Sequence, residues 1–327
     1  MWIAKPIQSL SSSEKEAWLM IERKSPLAQS LSWARAIEAV GGRSYVVFSP
    51  EEGVGGMVYS STSPTHSSRT TLECINGPNL DWDNPNCIAR QFATFAMASA
   101  QLSQNFDSLR IQPRWNAEDT LFRLKHLPIP PSHQNQAATL VIPIQSSKDE
   151  QFSRLSSRLK RTLSSSWRNQ VKTEWKKLTP DLLKEFVPSM TQFGQAHGFT
   201  VPPLCWFEAL IDSPAPHLTF WIASARIEPS PNLYGMTQAL VCIQGTKAYY
   251  LFGYDQRSEG LKASISTSAA AHWEALLRCA QFQVTSYDLN GYLIDAQPNH
   301  PYYGVCKFKE QFAGNLVQYE SPEFIIT

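Results

Sequence analysis

Twice along its length the chain passes through the same succession: amphipathic helices, then short apolar strands, then one more helix and closing strands. In the first half, the spacing predicts a helix over 11–23 capped by Ser13 and a second over Ser32–Val40. Trp33, Ala36, Ile37 and Val40 stripe the second helix, and Gly41-Gly42 stops it. SYVVF and GGMVYS read as strands around the turn PEEGVG, where Gly53, Val54, Gly55 and Gly56 make a hairpin. CINGPNLDWDN is a loop. IARQFATFAMASAQL is a helix with Phe92, Phe95, Ala96, Met97 and Leu102 apolar, and SLRIQP and TLVIPI are strands around the irregular KHLPIPPSHQNQ. The second half predicts helices over 151–170, 181–196 and 203–212, then strands LTFWIASARI, QALVCIQ and KAYYLFGYD. A helix over 267–282 and strands TSYDLNG and LVQYESP follow. The expected fold is therefore a duplicated α/β unit with mixed sheets. The polar stretch QSSKDEQ divides it into domains 1–148 and 149–327, with the extreme C-terminus packing back on the first.

Composition narrows the function. Of 327 residues, 43% are hydrophobic and 17% charged, which excludes a disordered chain. Lys plus Arg is 29 and Asp plus Glu 28, a net charge of +1 that excludes a globally basic nucleic-acid binder but not a local basic face. Lys5, Pro6 and a Ser/Glu/Lys stretch interrupt any secretory signal, and no run reaches the ~18 apolar residues of a membrane span, so a cytoplasmic protein is expected. Cys74, Cys87, Cys205, Cys242, Cys279 and Cys306 form no CxxC pair. His66, His126, His133, His197, His217, His272 and His300 are scattered, so free buried thiols and no metal site are expected. Cys87, within NPNC, is the thiol with a prospect of exposure. Trp33, Trp115, Trp167 and Trp206 are expected in the core rather than stacked on a ligand.

The segment FSRLSSRLKRTLSSSWRNQ carries the clearest local chemistry. At ~100° per residue, Phe152, Leu155, Leu159, Leu163 and Trp167 share one broad face, and Arg154, Arg158, Arg161 and Arg168 the opposite one. Lys160 and Lys172 add charge, and no Asp or Glu occurs from 151 to 173, so i,i+4 ion pairs within that span are missing. Such a face is either solvated or binds a polyanion, because a guanidinium can hold two phosphate oxygens. A nucleic acid, a nucleotide sugar or a CoA phosphate all fit.

The C-terminal block has a distinctive order. A strand ends in Gly253-Tyr254-Asp255, a later one in Tyr287-Asp288-Leu289-Asn290-Gly291, and Gly304-Val305-Cys306-Lys307-Phe308-Lys309 follows with Phe312 and Gly314. This block resembles the Fem family of aminoacyl-tRNA-dependent peptidyltransferases, which show a strand ending YD-φ-G-G and then G-φ-Y-x-F-K-x-x-F-G-G. LAQSLSWARAIEAVGG is similar to that family's Q-S-x-x-W opening helix, NGPNLD to its R-G-P-x-x-D loop, and SRLKRTLSSSWRNQVKTEW to its basic helix. The motifs occur in the family's order along nearly the whole chain.

The resemblance implies two tandem GNAT-like domains (the acyl-CoA N-acyltransferase fold) without a coiled-coil arm. It implies transfer of an amino acid from aminoacyl-tRNA to an amine of a peptidoglycan precursor peptide, with no other cofactor. Lys309 matches the family's F-K lysine and is the expected stabiliser of the oxyanion, on a strand or turn where Lys307 shares its face. Asp288 is the expected proton acceptor. Tyr254, Asp255, Lys307, Asp81 and Arg35 are expected at substrate, and Arg154, Arg158, Arg161 and Arg168 at the tRNA. Two departures bear on the acceptor: Ile37 stands where the family has Lys, and Ala196-His197-Gly198-Phe199 where it has R-D-G-F. Asn290 replaces a common Gly, and Cys306 the usual Tyr. A rival enzyme class is an acyl-CoA-dependent N-acyltransferase. Its diphosphate loop would be RSEGLKA, with Arg257 and Gly260 in place but Lys262 at the final small position and Ala263 one residue late. A non-catalytic precursor- or nucleic-acid-binding protein is the rival outside enzymes.

Overall fold

A computed structural model describes residues 1–60, 71–103, 106, 108–212, 215–230, 233–258, 261–262 and 264–327. The elements run β1 (Ile3–Pro6), α1 (Ser12–Glu22), α2 (Leu31–Ala39), β2 (Ser44–Ser49), β3 (Val54–Ser60), β4 (Thr71–Ile75), α3 (Ile88–Ala100), β5 (Ser108–Gln112), β6 (Trp115–Asn116), α4 (Ala117–Lys125) and β7 (His133–Pro143). Then come α5 (Lys148–Arg154), α6 (Ser157–Arg168), β8 (Lys172–Lys177), α7 (Pro180–His197), α8 (Leu204–Ile211), β9 (Leu218–Ser230), β10 (Leu233–Gln244), β11 (Lys247–Arg257), α9 (Thr267–Gln281), β12 (Ser286–Asp288), α10 (Tyr303–Glu310) and β13 (Asn315–Ile326).

The chain forms two compact units. The first comprises Met1–Ala137, Cys205–Ala215 and Gln318–Thr327, the second Ala138–Leu204 and Pro216–Val317. The division expected at 148/149 thus falls at 137/138, because Leu140 and Ile142 of β7 are core residues of the second unit.

In the first unit the strand order is β1-β2-β3-β4-β5-β13. Neighbours are antiparallel except β4 and β5, a parallel pair that α3 connects. The apolar run of β2 is explained by cover on both faces. Val47 packs with Phe92, Phe95, Trp115 and Phe324, while Val46 and Phe48 pack with Trp18, Ile21 and Met57. Helix α1 is capped by Ser11 rather than Ser13. The Ser11 hydroxyl accepts from the Glu14 N–H and the Glu14 carboxylate accepts from the Ser11 N–H, a capping box worth ~1 kcal/mol.

The second unit repeats this plan in the order β8-β9-β10-β11-β12-β7, antiparallel except the parallel pair β11 and β12 joined by α9. Leu159 and Leu163 of α6 and Trp273, Leu276 and Cys279 of α9 fill its core against Val241, Tyr287 and Phe312. Each fully buried leucine contributes roughly 1.5–3 kcal/mol.

Several expectations are corrected. The helix over 151–170 is two helices: Leu155 is extended, and the Ser156 hydroxyl accepts the Leu159 N–H at 3.1 Å to restart the coil. KTEWKK is a strand, β8, and α4 occupies a stretch given no element. GVCKFK is helical, in α10. Met97 is 71% exposed and Trp167 41% exposed, whereas Trp33, Trp115 and Trp206 pack inside the first unit. Cys205 is exposed and Cys87 half-buried; the other four thiols are buried, and all six are free. No helix among the described residues is long and apolar enough to cross a membrane.

One side chain fixes the turn after β4. The buried Gln29 amide donates to the Ile75 carbonyl at 2.6 Å, and its oxygen accepts the Met57 N–H at 2.6 Å. A Cβ on Gly77 would lie 2.5 Å from the Gln29 amide carbon, so glycine is required there. Gln29→Leu strands a buried N–H and a carbonyl. We expect a loss of about 2–4 kcal/mol in urea unfolding; a change within the error of wild type would remove Gln29 from this role.

Candidate functional site

The parallel strand β12 ends at Asp288, and the chain then turns through Asn290 and Gly291, both with positive φ (49° and 47°). Asparagine tolerates that conformation better than other side chains, so it can stand where the family motif has glycine. The turn is held by a polar knot. Asp288 Oδ1 accepts the Asn290 N–H at 2.7 Å and the Thr139 hydroxyl, and Asn290 Nδ2 donates to the Tyr250 carbonyl at 2.8 Å. From α10, Lys309 Nζ donates to the Asn290 carbonyl and, at 2.7 Å, to the Gly291 carbonyl.

Helical geometry separates the two lysines expected to share a face. Residues two apart on a helix are ~200° apart. Lys307 is exposed and pairs with Glu310 at 2.9 Å, which raises its pKa. Lys309 is 6% exposed, and burial lowers its pKa to about 8 against the opposing pull of Cys306 and Asp288. The expected open ammonium beside substrate is therefore corrected to an interior one. Lys309 and Asp288 come together, but through the backbone of residues 290–291.

Behind this knot lies a group that sequence reasoning passed over. His272 of α9 is buried among Tyr250, Tyr287, Phe308 and Phe312, and its Nδ1 shares a hydrogen bond with the Tyr287 hydroxyl at 3.0 Å. Burial, with help from the Lys309 charge, lowers its pKa to about 3. Its one signal in the sequence was a titratable residue on the apolar stripe of AAAHWEALL.

A second cluster lines an open cleft of about 750 Å³ in the second unit, bordered by Gln192, Phe193, Ala196 and His197 of α7, Tyr234 of β10, and Asp255, Gln256, Arg257 and Ser258. Asp255 Oδ1 accepts the hydroxyls of Thr237 at 2.5 Å and Thr267 at 3.1 Å. Tyr254 points elsewhere: it is buried, donates to Gln238 Oε1 at 2.9 Å, and burial pushes its pKa up to about 12. A smaller cleft of about 360 Å³ lies between Gln145–Lys148 and the end of α9. Lys309 lines neither. Gly260, Ala263 and His66 lie outside the described residues.

On α6, Arg158, Arg161 and Arg168 are exposed on one side, opposite Leu159 and Leu163, and Arg154 is exposed at the end of α5. None of the four has an ion-pair partner among the described residues. In the first unit, Arg35 donates to the Asp212 carbonyl at 2.9 Å, which ties α2 to the chain after α8. Ile37 packs on the core of Trp18 and Phe48. Asp81 accepts from Asn84 Nδ2 at 3.1 Å, as a loop-capping residue does.

No protein-family model and no curated protein matches this sequence. Solved structures do match. FemX has a TM-score of 0.73 at 15% identity, over 98% of this chain and 96% of its own. A conserved protein of unknown function from Bacteroides thetaiotaomicron has 0.58 at 12%, over 97% and 99%. L-PGS from Bacillus licheniformis has 0.53 at 11%, over 97% and 92%. The chain thus shares its fold with FemX: two α/β units in tandem.

The buried imidazole has a consequence for acid stability. His272 is neutral when folded (pKa about 3) and titrates near 6.5 when unfolded, so the unfolded state binds the extra proton between these values. Its contribution is intact above pH 6.5 and is lost as pH falls toward 3, by on the order of a few kcal/mol. Urea unfolding across this range should fall less steeply for His272→Gln than for wild type; parallel profiles would disprove it.

Proposed function

We propose that the protein moves an aminoacyl group from an aminoacyl-tRNA to an amine of a peptidoglycan precursor peptide, in the cytoplasm and without further cofactor. The observation that carries this reading is the row of exposed arginines on α5 and α6, free of carboxylate partners among the described residues. Guanidinium groups left unpaired on one side of a helix suit a phosphate backbone. The Fem-family motifs supply the donor and acceptor classes, and the fold shared with FemX along nearly all of both chains supports them. In the reaction the amine nitrogen attacks the ester carbonyl. The C–N bond forms as the bond to the ribose oxygen breaks; the tRNA leaves as a hydroxyl, and the amine gives up a proton.

Acyl-CoA is the less suitable donor. A CoA diphosphate would seek the N-terminus of α9, as anions do at helix starts. There the Ser266 N–H already donates to Ser166 Oγ at 3.1 Å, and the Asp255 carboxylate sits on the Thr267 hydroxyl, where it would repel a second anion.

Lys309 and Asp288 serve in this reading as positioning residues. Both act through the turn 288–291, which they hold from opposite sides, rather than by touching the reacting oxygen.

Incubation with charged tRNA or acyl-CoA and candidate precursor amines, followed by mass spectrometry, should give product with tRNA. Product with acyl-CoA alone would overturn the assignment, and tight precursor binding with no product from either donor would make the protein a binding module. Arg158→Glu with Arg161→Glu should weaken tRNA binding and reduce its log–log salt slope by about two; a flat response would make α6 an ordinary solvated face. Lys309→Met should lower kcat roughly tenfold or more while tRNA affinity holds. An unchanged kcat would remove Lys309 from the mechanism.

A further inference from the structure

The cleft beside α7 holds two opposite charges, neither of them ion-paired by any described residue. Asp255 and Arg257 both line it, yet neither has an ion-pair partner among the described residues. They are two residues apart at the end of β11, so they share a strand face about 6.5–7 Å apart along the backbone.

Both groups are held in place. Thr237 and Thr267, 4% and 2% exposed, direct their hydroxyls at the same carboxylate oxygen, Oδ1. Oδ2 is left as an acceptor. Arg257 is anchored through one nitrogen, which donates to the Leu261 carbonyl at 3.0 Å, and its remaining N–H groups are available. The last turn of α7 borders the cleft with the negative end of its dipole, which favours a cation near Asp255. The amides of Gln192 and Gln256 can meet a peptide group between the charges, and Phe193 and Tyr234 provide apolar wall.

We propose that this cleft binds a short peptide end carrying both a free amine and a carboxylate, the amine on Asp255 and the carboxylate on Arg257. An extended dipeptide spans about 7 Å, about the backbone rise between the two residues. A polyphosphate is a poor fit, because Asp255 repels it. This deepens the functional reading, on which it rests for calling the bound amine the acceptor. It names that acceptor as a zwitterionic peptide end. Ala196, which lines the same cleft where the family motif has arginine, agrees with a ligand that brings one anionic group rather than several.

The test is titration calorimetry of the full chain with alanylalanine, N-acetyl-alanylalanine and alanylalanine amide. Alanylalanine should bind, and blocking either end should weaken binding about tenfold or more, the usual scale for a lost charge-assisted hydrogen bond. Asp255→Asn should erase the penalty for acetylation and keep the penalty for amidation; Arg257→Gln should do the reverse. Equal affinity for all three peptides, or no binding of any, would overturn the proposal, and wild-type protein alone decides that point if a variant fails to fold. The readout is binding, so absent transfer from charged tRNA would sink the functional reading and leave this site standing. Transfer that proceeds equally well to alanylalanine and to alanylalanine amide would do the opposite.

Discussion

An ammonium taken out of water must find acceptors, or it costs several kcal/mol and sheds its proton. Lys309 meets this demand with the carbonyls of Asn290 and Gly291, and much of the second unit is arranged around that solution. The carbonyls can reach the ammonium because the chain turns through two residues of positive φ. The turn holds because Asp288 caps the Asn290 N–H and Asn290 in turn grips the Tyr250 carbonyl on the neighbouring strand. His272 stays neutral in the same interior, so the region carries one buried cation and not two.

Charge in this unit is sorted by element. Cations that find carboxylates, such as Arg278 on Glu274 and Lys307 on Glu310, belong to the folded surface. Those without such a partner among the described residues include the α5–α6 arginines and Arg257. The α6 arginines have no carboxylate within four residues in sequence and suit a long polyanion; Arg257 stands two positions from Asp255 and suits a small molecule of mixed charge. The two surfaces thus differ in the sign pattern each offers.

Element type was legible wherever periodicity met burial. The run SYVVF reads as a strand, and two-sided cover explains why it lacks polar alternation. The misreadings have physical causes. Lys307 and Lys309 suggested strand alternation in a segment that is helical, where Cys306 and Lys309, three apart, face inward. β8 was hidden because it is an edge strand, Lys-rich as edges tend to be, and KTEWKK looks like helix surface. The α5–α6 break rests on one serine whose capping role resembles any other serine in a Ser-rich run. Lys309 and Asp288 were found by motif, but their burial depends on Thr139 and Asn290, contacts that no local pattern encodes.

Each sheet borrows its sixth strand from a distant part of the chain. β5 pairs with residues 324–326, and β12 with residues 141–143, which precede every other strand of the second sheet. This sets an order of events during synthesis. As the nascent chain leaves the ribosome, the first sheet has a bare rim along β5 throughout translation of the second unit, and it gains its neighbour only when residue 324 emerges. A bare rim is where stray strands attach. The interval before closure is therefore when this protein most needs a chaperone, and a ribosome stalled late would release a chain with its N-terminal sheet still open.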